Sequence, residues 1–411
     1  MRVTTFIIFL QLVFIGCSDK STNTKEDDFT LVKYNSVDVV KTNPMKIYMH
    51  YMPWFESLEV NGRWGVHWTM ANCNPNNIDN TGKREIASHF YPLIGPYSSI
   101  DKDVIEYHLL LMKLSGVDGI LIDWYGSYDV YDYRQNLINS EALISKLGET
   151  GIQFGIVYED YTAEKVVLQN KADSAIKAAK TDLRYMQDHY FSNDQYIKLG
   201  QIPLLLTFGP RYFQNESDWT QIFSELTTKP KFLTLMYASG KAGSNASGEF
   251  AWVNKNNLDD LDMFYNSRVP QLQNSMAAAY PGFYDYYAEG GWTSQDITWQ
   301  IRYDGTSTLS ATLNKAAASG LNMLQLITWN DFGEGTMFEP TLEFGYSFLE
   351  TIQKFTGVTY DKPDLELVLR IYQYRKKYKD DSLSQLKLDQ VFYYVVSLQM
   401  QKAKELLNTI E

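Results

Sequence analysis

The chain reads as an α/β protein built on a (β/α)8 barrel, with extra helices at its C-terminus. Three observations lead there. Short apolar runs of strand length alternate with amphipathic stretches of helix length, the pattern of a parallel sheet covered by helices. No Gly-rich dinucleotide fingerprint opens the first strand–helix unit, which disfavours a nucleotide-binding open sheet. Acidic and aromatic residues stand repeatedly at the ends of the apolar runs, where such barrels place their working groups. The length, 411 residues, suits one large barrel.

The elements follow in order. Pro44 precedes an alternating strand, Met45 to Tyr51, which ends at Met52-Pro53-Trp54-Phe55. An irregular region then runs from Glu56 to about Asp101. It carries Trp64, His67 and Trp68, then Asn72-Cys73-Asn74-Pro75, then Tyr91 to Tyr97. A segment this long without its own periodicity is expected to be functional, here as a wall of a cleft. Residues 103–115 space their apolar side chains as a helix, stopped by Gly116. Val117–Ile122 is the next strand and runs into Asp123-Trp124-Tyr125-Gly126. Residues 139–150 are helical, and Ile152–Tyr158 is a strand ending in Glu159-Asp160. Residues 163–190 read mostly as one long amphipathic helix. Ile202–Thr207 is a strand, 219–226 a helix and Phe232–Tyr237 a strand. A Gly/Ser/Ala-rich loop then leads to Phe250-Ala251-Trp252. Tyr280–Tyr286 is a candidate strand, and 309–319 is an Ala-rich helix. Leu321–Thr328 is the last strand, and 346–355 a closing helix. That makes six or seven strands, one or two short of a closed barrel.

The barrel is expected to span 44–357, with helices packed on its outside over 358–411. Within the latter, 365–377 and 384–407 are helical, and Arg375-Lys376-Lys377 is expected on a solvated face. Residues 1–16 have the form of a lipoprotein-type signal. Arg2 is followed by an apolar run, Val3 to Ile15, too short for a stable span, and then by Gly16-Cys17. Cys17 is the expected lipidation site, and 17–43 a polar tether and lead-in. The expected location is therefore outside the cytoplasm, on the surface or periplasmic side of a bacterial outer membrane, held by the lipid anchor alone. Cys73 is the only other cysteine, so a lipidated chain has no internal disulfide.

Composition narrows the chemistry. The net charge of −12, from 37 basic and 49 acidic side chains, argues against nucleic acid as a partner. Aromatic residues form 15% of the chain, with 30 Tyr and 9 Trp, which suits ligands with apolar faces and polar edges such as sugars. The five histidines lack close metal-ligand spacing, and no G-x-S-x-G elbow is present. Neither a metal nor a cofactor is expected.

The stretch 321–340, LNMLQLITWNDFGEGTMFEP, holds the centre of the argument. A buried strand gives way at once to Asp331 and Glu334, three residues apart and flanked by glycine. One acid there could merely cap a helix. Two acids, packed by Trp329, Asn330 and Phe332, point to chemistry. With His50, Tyr51, Asp123, Trp124, Glu159 and Asp160 at other strand ends, the barrel mouth becomes a carboxylate-rich, aromatic-lined site. Glycoside hydrolysis needs that combination: one carboxyl group protonates the leaving oxygen and another serves as base or nucleophile. Trp54, His67, Trp252 and Asn330 join the expected substrate-binding set, and Trp124 is expected as a sugar platform.

Several motifs in order resemble glycoside hydrolase family 99, the endo-α-mannosidases and bacterial endo-α-1,2-mannanases. They are His50-Tyr51-Met52-Pro53-Trp54-Phe55, Trp64-Gly65 with His67-Trp68, Tyr91 to Tyr97, Asp123 to Gly126, Tyr158-Glu159-Asp160, and Trp329-Asn330 with Gly333-Glu334-Gly335-Thr336. The resemblance covers nearly the whole mature chain. It implies a (β/α)8 barrel, no metal, and endo-cleavage of α-mannosides with retention by a monomer. It makes Glu334 the general acid/base and Glu159 a binding carboxylate near the reacting sugar. It also places Trp124 in the neighbouring subsite. Asp331 stands where the family has a glutamate that deprotonates the substrate's own 2-hydroxyl. In this respect the segment is similar to glycoside hydrolase family 71, α-1,3-glucanases that use Asp and Glu at this spacing and invert. Two alternatives therefore stay open: an inverting endo-α-1,3-glucanase-like enzyme, and a catalytically retired surface glycan-binding protein.

Overall fold

The computed structural model describes residues 29–292 and 297–410. Nine strands form in chain order: β1 Lys46–Tyr51, β2 Gly119–Trp124, β3 Gln153–Tyr158, β4 Lys198–Leu199, β5 Ile202–Thr207, β6 Lys231–Leu235, β7 Gly248–Phe250, β8 Asn274–Ala279 and β9 Met323–Leu326. Eight of them pair in parallel and close on themselves. β3 joins β5 at one seam, and β1 joins β9 at another. The two-residue β4 only pairs antiparallel with the start of β5. The expected (β/α)8 barrel is therefore present. The candidate signal 1–16, Cys17 and the first part of the tether lie outside the described residues. Among those described, no helix is long and apolar enough to cross a membrane.

The strands form because their side chains are buried on both faces, one toward the barrel axis and one toward the helices. Every residue of β2 and β9 is buried. Two strands have weak sequence signals for a physical reason. β7 is three residues long and begins with Gly248, where a Cβ would fall on the Asn274 carbonyl oxygen. β8, NSMAAA, is alanine-rich and carries little intrinsic strand preference. The expected strand at Tyr280–Tyr286 is corrected accordingly. The strand ends at Ala279, and the following residues form a loop in which Phe283 pairs with Ile301.

Two long helices are also divided. The expected helix over 163–190 is Thr162–Leu168 and Ala175–Met186, continued by a wider turn over Gln187–Phe191. Asn170 takes a left-handed backbone (φ 55), and the Ser174 side chain caps the second segment by accepting from the Lys177 N–H. The expected helix over 384–407 is Ser382–Val396 and Met400–Leu407, separated where Leu398 adopts φ 60.

The C-terminal helices are tied to the barrel by the basic cluster that was expected to face solvent. Arg375 is buried, and its Nε and Nη2 donate to the two oxygens of Glu106 at 3.1 and 3.0 Å. Its Nη1 donates to Asp389 at 2.6 Å. Lys376 bridges Asp101 and Asp103 at 2.6 and 2.9 Å. Residues 29–43, the lead-in, form a strap along the fold. Val32 N–H donates to the Gln390 side chain, Val37 N–H to the Val396 carbonyl, and Thr42 N–H to the Thr356 carbonyl. The buried Lys113 ammonium donates to Ser36, Val37 and Thr150 oxygens, and burial brings its pKa down to about 8.

Replacing Arg375 by Met leaves the Glu106 carboxylate in a nearly closed site without its paired donors. The expected loss is about 3 kcal/mol of unfolding free energy. A urea denaturation series, with Glu106→Gln added to the variant to recover part of the loss, checks this.

Candidate active site

The C-terminal ends of the barrel strands open into one cleft of about 410 Å³. Its walls come from nearly every strand–helix loop. β1 supplies His50, β2 supplies Asp123, and the residue after β3 is Glu159. The loop after β5 supplies Phe208 and Arg211, the residue two past β7 is Trp252, and the loop after β9 supplies Asp331, Gly333 and Glu334. Trp54, just past β1, lines the cleft, and the irregular region that follows contributes Val66, His67 and Met70, in accord with its expected role as a wall.

The strand pleat decides which candidates reach the cleft. Adjacent residues of a strand point to opposite faces. Asp123 lines the cleft, whereas Trp124 is buried under the helix layer against Tyr158, Tyr185 and Tyr190, with ring centroids 6.1–6.3 Å away. Trp124 is therefore not a sugar platform in this structure. The aromatic residue that lines the cleft beside it is Tyr125. The same rule separates His50 from Tyr51. His50 faces the cleft, 4.8 Å from the Trp252 ring, while the Tyr51 hydroxyl lies 3.0 Å from Nδ1 of buried His108. Asn330 is also withdrawn. Its side chain accepts from Met52 N–H at 2.9 Å and donates to the Met52 carbonyl at 3.0 Å. Tyr51, Trp124 and Asn330 are thus packing and bracing residues, not lining ones.

The loop carrying the two acids is a closed turn. Thr328 N–H donates to the Thr336 carbonyl, and Glu339 N–H to the Trp329 carbonyl, so the outgoing and returning limbs pair. Asp331 N–H is held by Thr328 Oγ1 at 2.8 Å, and Asp331 Oδ1 accepts from Glu334 N–H at 2.9 Å. The capping role of an acid in this position is therefore real for one oxygen of Asp331. Gly335, with φ 69, permits the tight return. A side chain there would strike the Tyr303 hydroxyl and the Tyr284 carbonyl. The Tyr287 hydroxyl donates to Glu334 Oε1 at 2.8 Å, leaving Oε2 for other partners.

Asp123, Glu159 and Asp331 are buried with half-buried Glu334 beside them, and withdrawal from water raises the pKa of each. Mutual repulsion adds to the effect at the first three, and Asp123 is pushed up to about 8. The Arg211 guanidinium pulls Asp123, Glu159 and Glu334 back down, and the Tyr287 hydroxyl does so at Glu334. Glu159 lines the cleft, and its Oε2 is closed off from water without a partner. Asp160, next in sequence, is already committed. Its carboxylate accepts from the backbone N–H groups of Arg211, Tyr212 and Phe213 at 2.8–2.9 Å, which fixes the Arg211 loop. Burial lowers His50 to about 4, so it is neutral near pH 7. His67 stacks flat on Trp54, with centroids 4.0 Å apart, and its Nε2 lies 3.5 Å from Asp132. Sequence reasoning missed Arg211, Tyr287 and Trp292, although Arg211 follows the end of the expected strand Ile202–Thr207 and Tyr287 the end of the expected strand Tyr280–Tyr286. Among the described residues, no three His, Cys, Asp or Glu side chains form a group able to hold a metal ion.

No protein-family model matches the chain. The glycoprotein endo-alpha-1,2-mannosidase of Rattus norvegicus is 28% identical over 294 residues, covering 67% of this chain and 57% of its own length. That of Xenopus laevis is 21% identical over 265 residues, covering 60% and 51%. The chain spans about half the length of the curated relatives it matches. Among solved structures, the GH99 endo-alpha-mannosidase from Bacteroides thetaiotaomicron shares the fold with a TM-score of 0.59 at 16% identity, over 78% of this chain and 99% of that one. Relatives and fold together support a glycoside hydrolase family 99 assignment. The β9 turn carries Asp331 and Glu334, and the rest of the cleft is arranged around it.

The pKa of Asp123 carries a sign for stability. An unfolded aspartate titrates near 3.9. Because the folded value is raised to about 8, the fold favours the protonated form, and its contribution is complete below about pH 4 and is lost as pH rises toward 8. Asp123→Asn removes this loss. The melting-temperature difference, variant minus wild type, should grow by on the order of 2 °C between pH 4 and pH 8. A difference that stays constant across that range contradicts the assignment.

Proposed function

We propose that the chain is an exported glycoside hydrolase that cleaves internal α-1,2-mannosidic bonds of α-mannan-type glycans, with Glu334 as general acid and Asp331 as base. The observation that carries this reading is the placement of two carboxyl groups, one buried and one half-buried, on one short turn in an aromatic-walled cleft that keeps both pKa values raised. The curated relatives are named for endo-α-1,2-mannosidase activity, which supports the choice of sugar and linkage.

The chemistry follows from the contacts. In this scheme Glu334, whose pKa is raised by its withdrawal from water, donates its proton to the departing glycosidic oxygen. As its negative charge develops, the Tyr287 hydroxyl and the Arg211 guanidinium stabilise it. Asp331 Oδ1 is occupied by the Glu334 N–H, so Oδ2 is the oxygen that takes a proton from the substrate's 2-hydroxyl. The raised pKa makes Asp331 a stronger base than a solvated carboxylate. Glu159, which lines the cleft, accepts from a hydroxyl of the reacting sugar. Trp54, Tyr125, Trp252 and Trp292 offer faces to the sugar rings. The anchoring of Asp331 to its own loop favours one variant of the scheme, in which the short side chain activates a water and the anomeric configuration inverts. Export and anchoring rest on the Val3–Ile15 run followed by Gly16-Cys17.

Glu334→Gln should lower turnover of α-mannan by roughly 10³-fold while leaving KM within a small factor. Unchanged turnover removes Glu334 from the acid role. NMR of the first product from wild-type enzyme reads the stereochemistry: the α-anomer supports the 2-hydroxyl route, and the β-anomer the water route.

A further inference from the structure

We propose that Glu339, Tyr97 and His108 form a buried brace that positions the returning limb of the acid loop, and with it Glu334, for proton donation. The inference rests on the glycosidase reading above. It assigns these three as positioning residues, since none of them lines the cleft.

Glu339 is an acid of the β9 stretch that the chemistry does not use. It is 1% exposed and lies behind the loop. Its Oε2 accepts from the Tyr97 hydroxyl at 2.7 Å. That same hydroxyl accepts from Asn330 Nδ2 at 3.1 Å, so one phenol ties the two limbs of the loop together. Glu339 Oε1 lies 3.3 Å from His108 Nε2, close but misaligned for a hydrogen bond, and His108 Nδ1 meets the Tyr51 hydroxyl at 3.0 Å. Trp329 covers His108 with its ring centroid 5.2 Å away. Four separate pieces of chain therefore meet at one dry point: the end of β1, the long irregular wall, the helix Lys102–Leu114 and the acid loop. Their buried polar atoms have few alternative partners, so each member constrains the others.

The brace acts unequally on the two acids. Asp331 sits on the outgoing limb, and Thr328 Oγ1 holds its N–H directly above β9. Glu334 precedes the returning limb, Gly335 to Glu339, whose far end Glu339 secures. Loosening that end moves Glu334 more than Asp331. An error of about 1 Å in a reacting group can cost on the order of 10²-fold in rate. A weakened proton donor matters for an alkoxide leaving group and little for fluoride, which departs without protonation.

The test compares Tyr97→Phe and Glu339→Gln with wild type on two substrates, an α-1,2-linked mannan oligosaccharide and an α-oligomannosyl fluoride. Each variant is assayed well below its own melting temperature, with folding checked by circular dichroism. Tyr97→Phe loses only one oxygen and guards against a variant of Glu339 that does not fold. The expected result is a fall in kcat of about tenfold or more on the oligosaccharide. KM should stay within about twofold, and the loss on the fluoride should also be within about twofold. Equal losses on both substrates, or none on either, overturn the brace while leaving the glycosidase reading intact. A wild-type protein that turns over neither substrate overturns both.

Discussion

The structure depends on the pairing of β1 with β9 and on its continuation past the strand ends. Within the barrel the two strands run in register from Lys46–Met323 to Met49–Leu326. Beyond it the zipper does not stop. Trp329 N–H donates to the His50 carbonyl, and the Asn330 amide then binds both backbone groups of Met52. A side chain that satisfies a donor and an acceptor of the neighbouring chain acts as one more rung of the sheet. This holds the acid loop against the Met52–Phe55 wall, so Trp54 and His67 face Asp331 and Glu334 across the cleft. Without that rung, the loop with both acids would be free to splay outward where the barrel strands end.

The cleft gathers charge at a cost. Three buried carboxyl groups and a half-buried fourth among aromatic rings cannot all ionise cheaply, because loss of water penalises each anion and neighbours repel. Arg211 and the Tyr287 hydroxyl relieve part of this, and they do so at Asp123, Glu159 and Glu334 rather than at Asp331. The result is a site stabilised in protonated form, with Glu159 Oε2 closed off from water and left without a partner. Polar groups that are not aimed at the cleft are satisfied internally instead. Asp160 caps three backbone N–H groups, and Asp182 accepts from Ser127 and Tyr158 to hold the loop after β2.

The barrel's weakest strands were the hardest to see. Ile202–Thr207 is visible as an apolar run because its residues are large and branched, whereas Gly248–Phe250 and Asn274–Ala279 are built from small residues that only the closed barrel makes into strands. Helix breaks at Asn170 and Leu398 were invisible for a related reason. A left-handed residue that is not glycine leaves no mark in hydrophobic periodicity. Arg375 read as a solvent-facing charge because its partners Glu106 and Asp389 lie far away in the chain or about two turns into another helix.

For the site, sequence by itself determined which strand ends carry acids: Asp123, Glu159, Asp331 and Glu334 each follow or end an apolar run, and periodicity locates those runs. It also determined that Asp331 is one methylene shorter than the glutamate that the family resemblance leads one to expect. Only the tertiary structure decided which member of each adjacent pair looks inward. Asp123 rather than Trp124, His50 rather than Tyr51, and Glu159 rather than Asp160 line the cleft, because strand pleat and barrel curvature set the direction of a side chain and neither is written at a single position. Arg211, Tyr287 and Trp292 come to the acids from loops remote in sequence, and Glu339 goes behind the loop instead of into it. Proximity of that kind arises only when eight strands close into one ring.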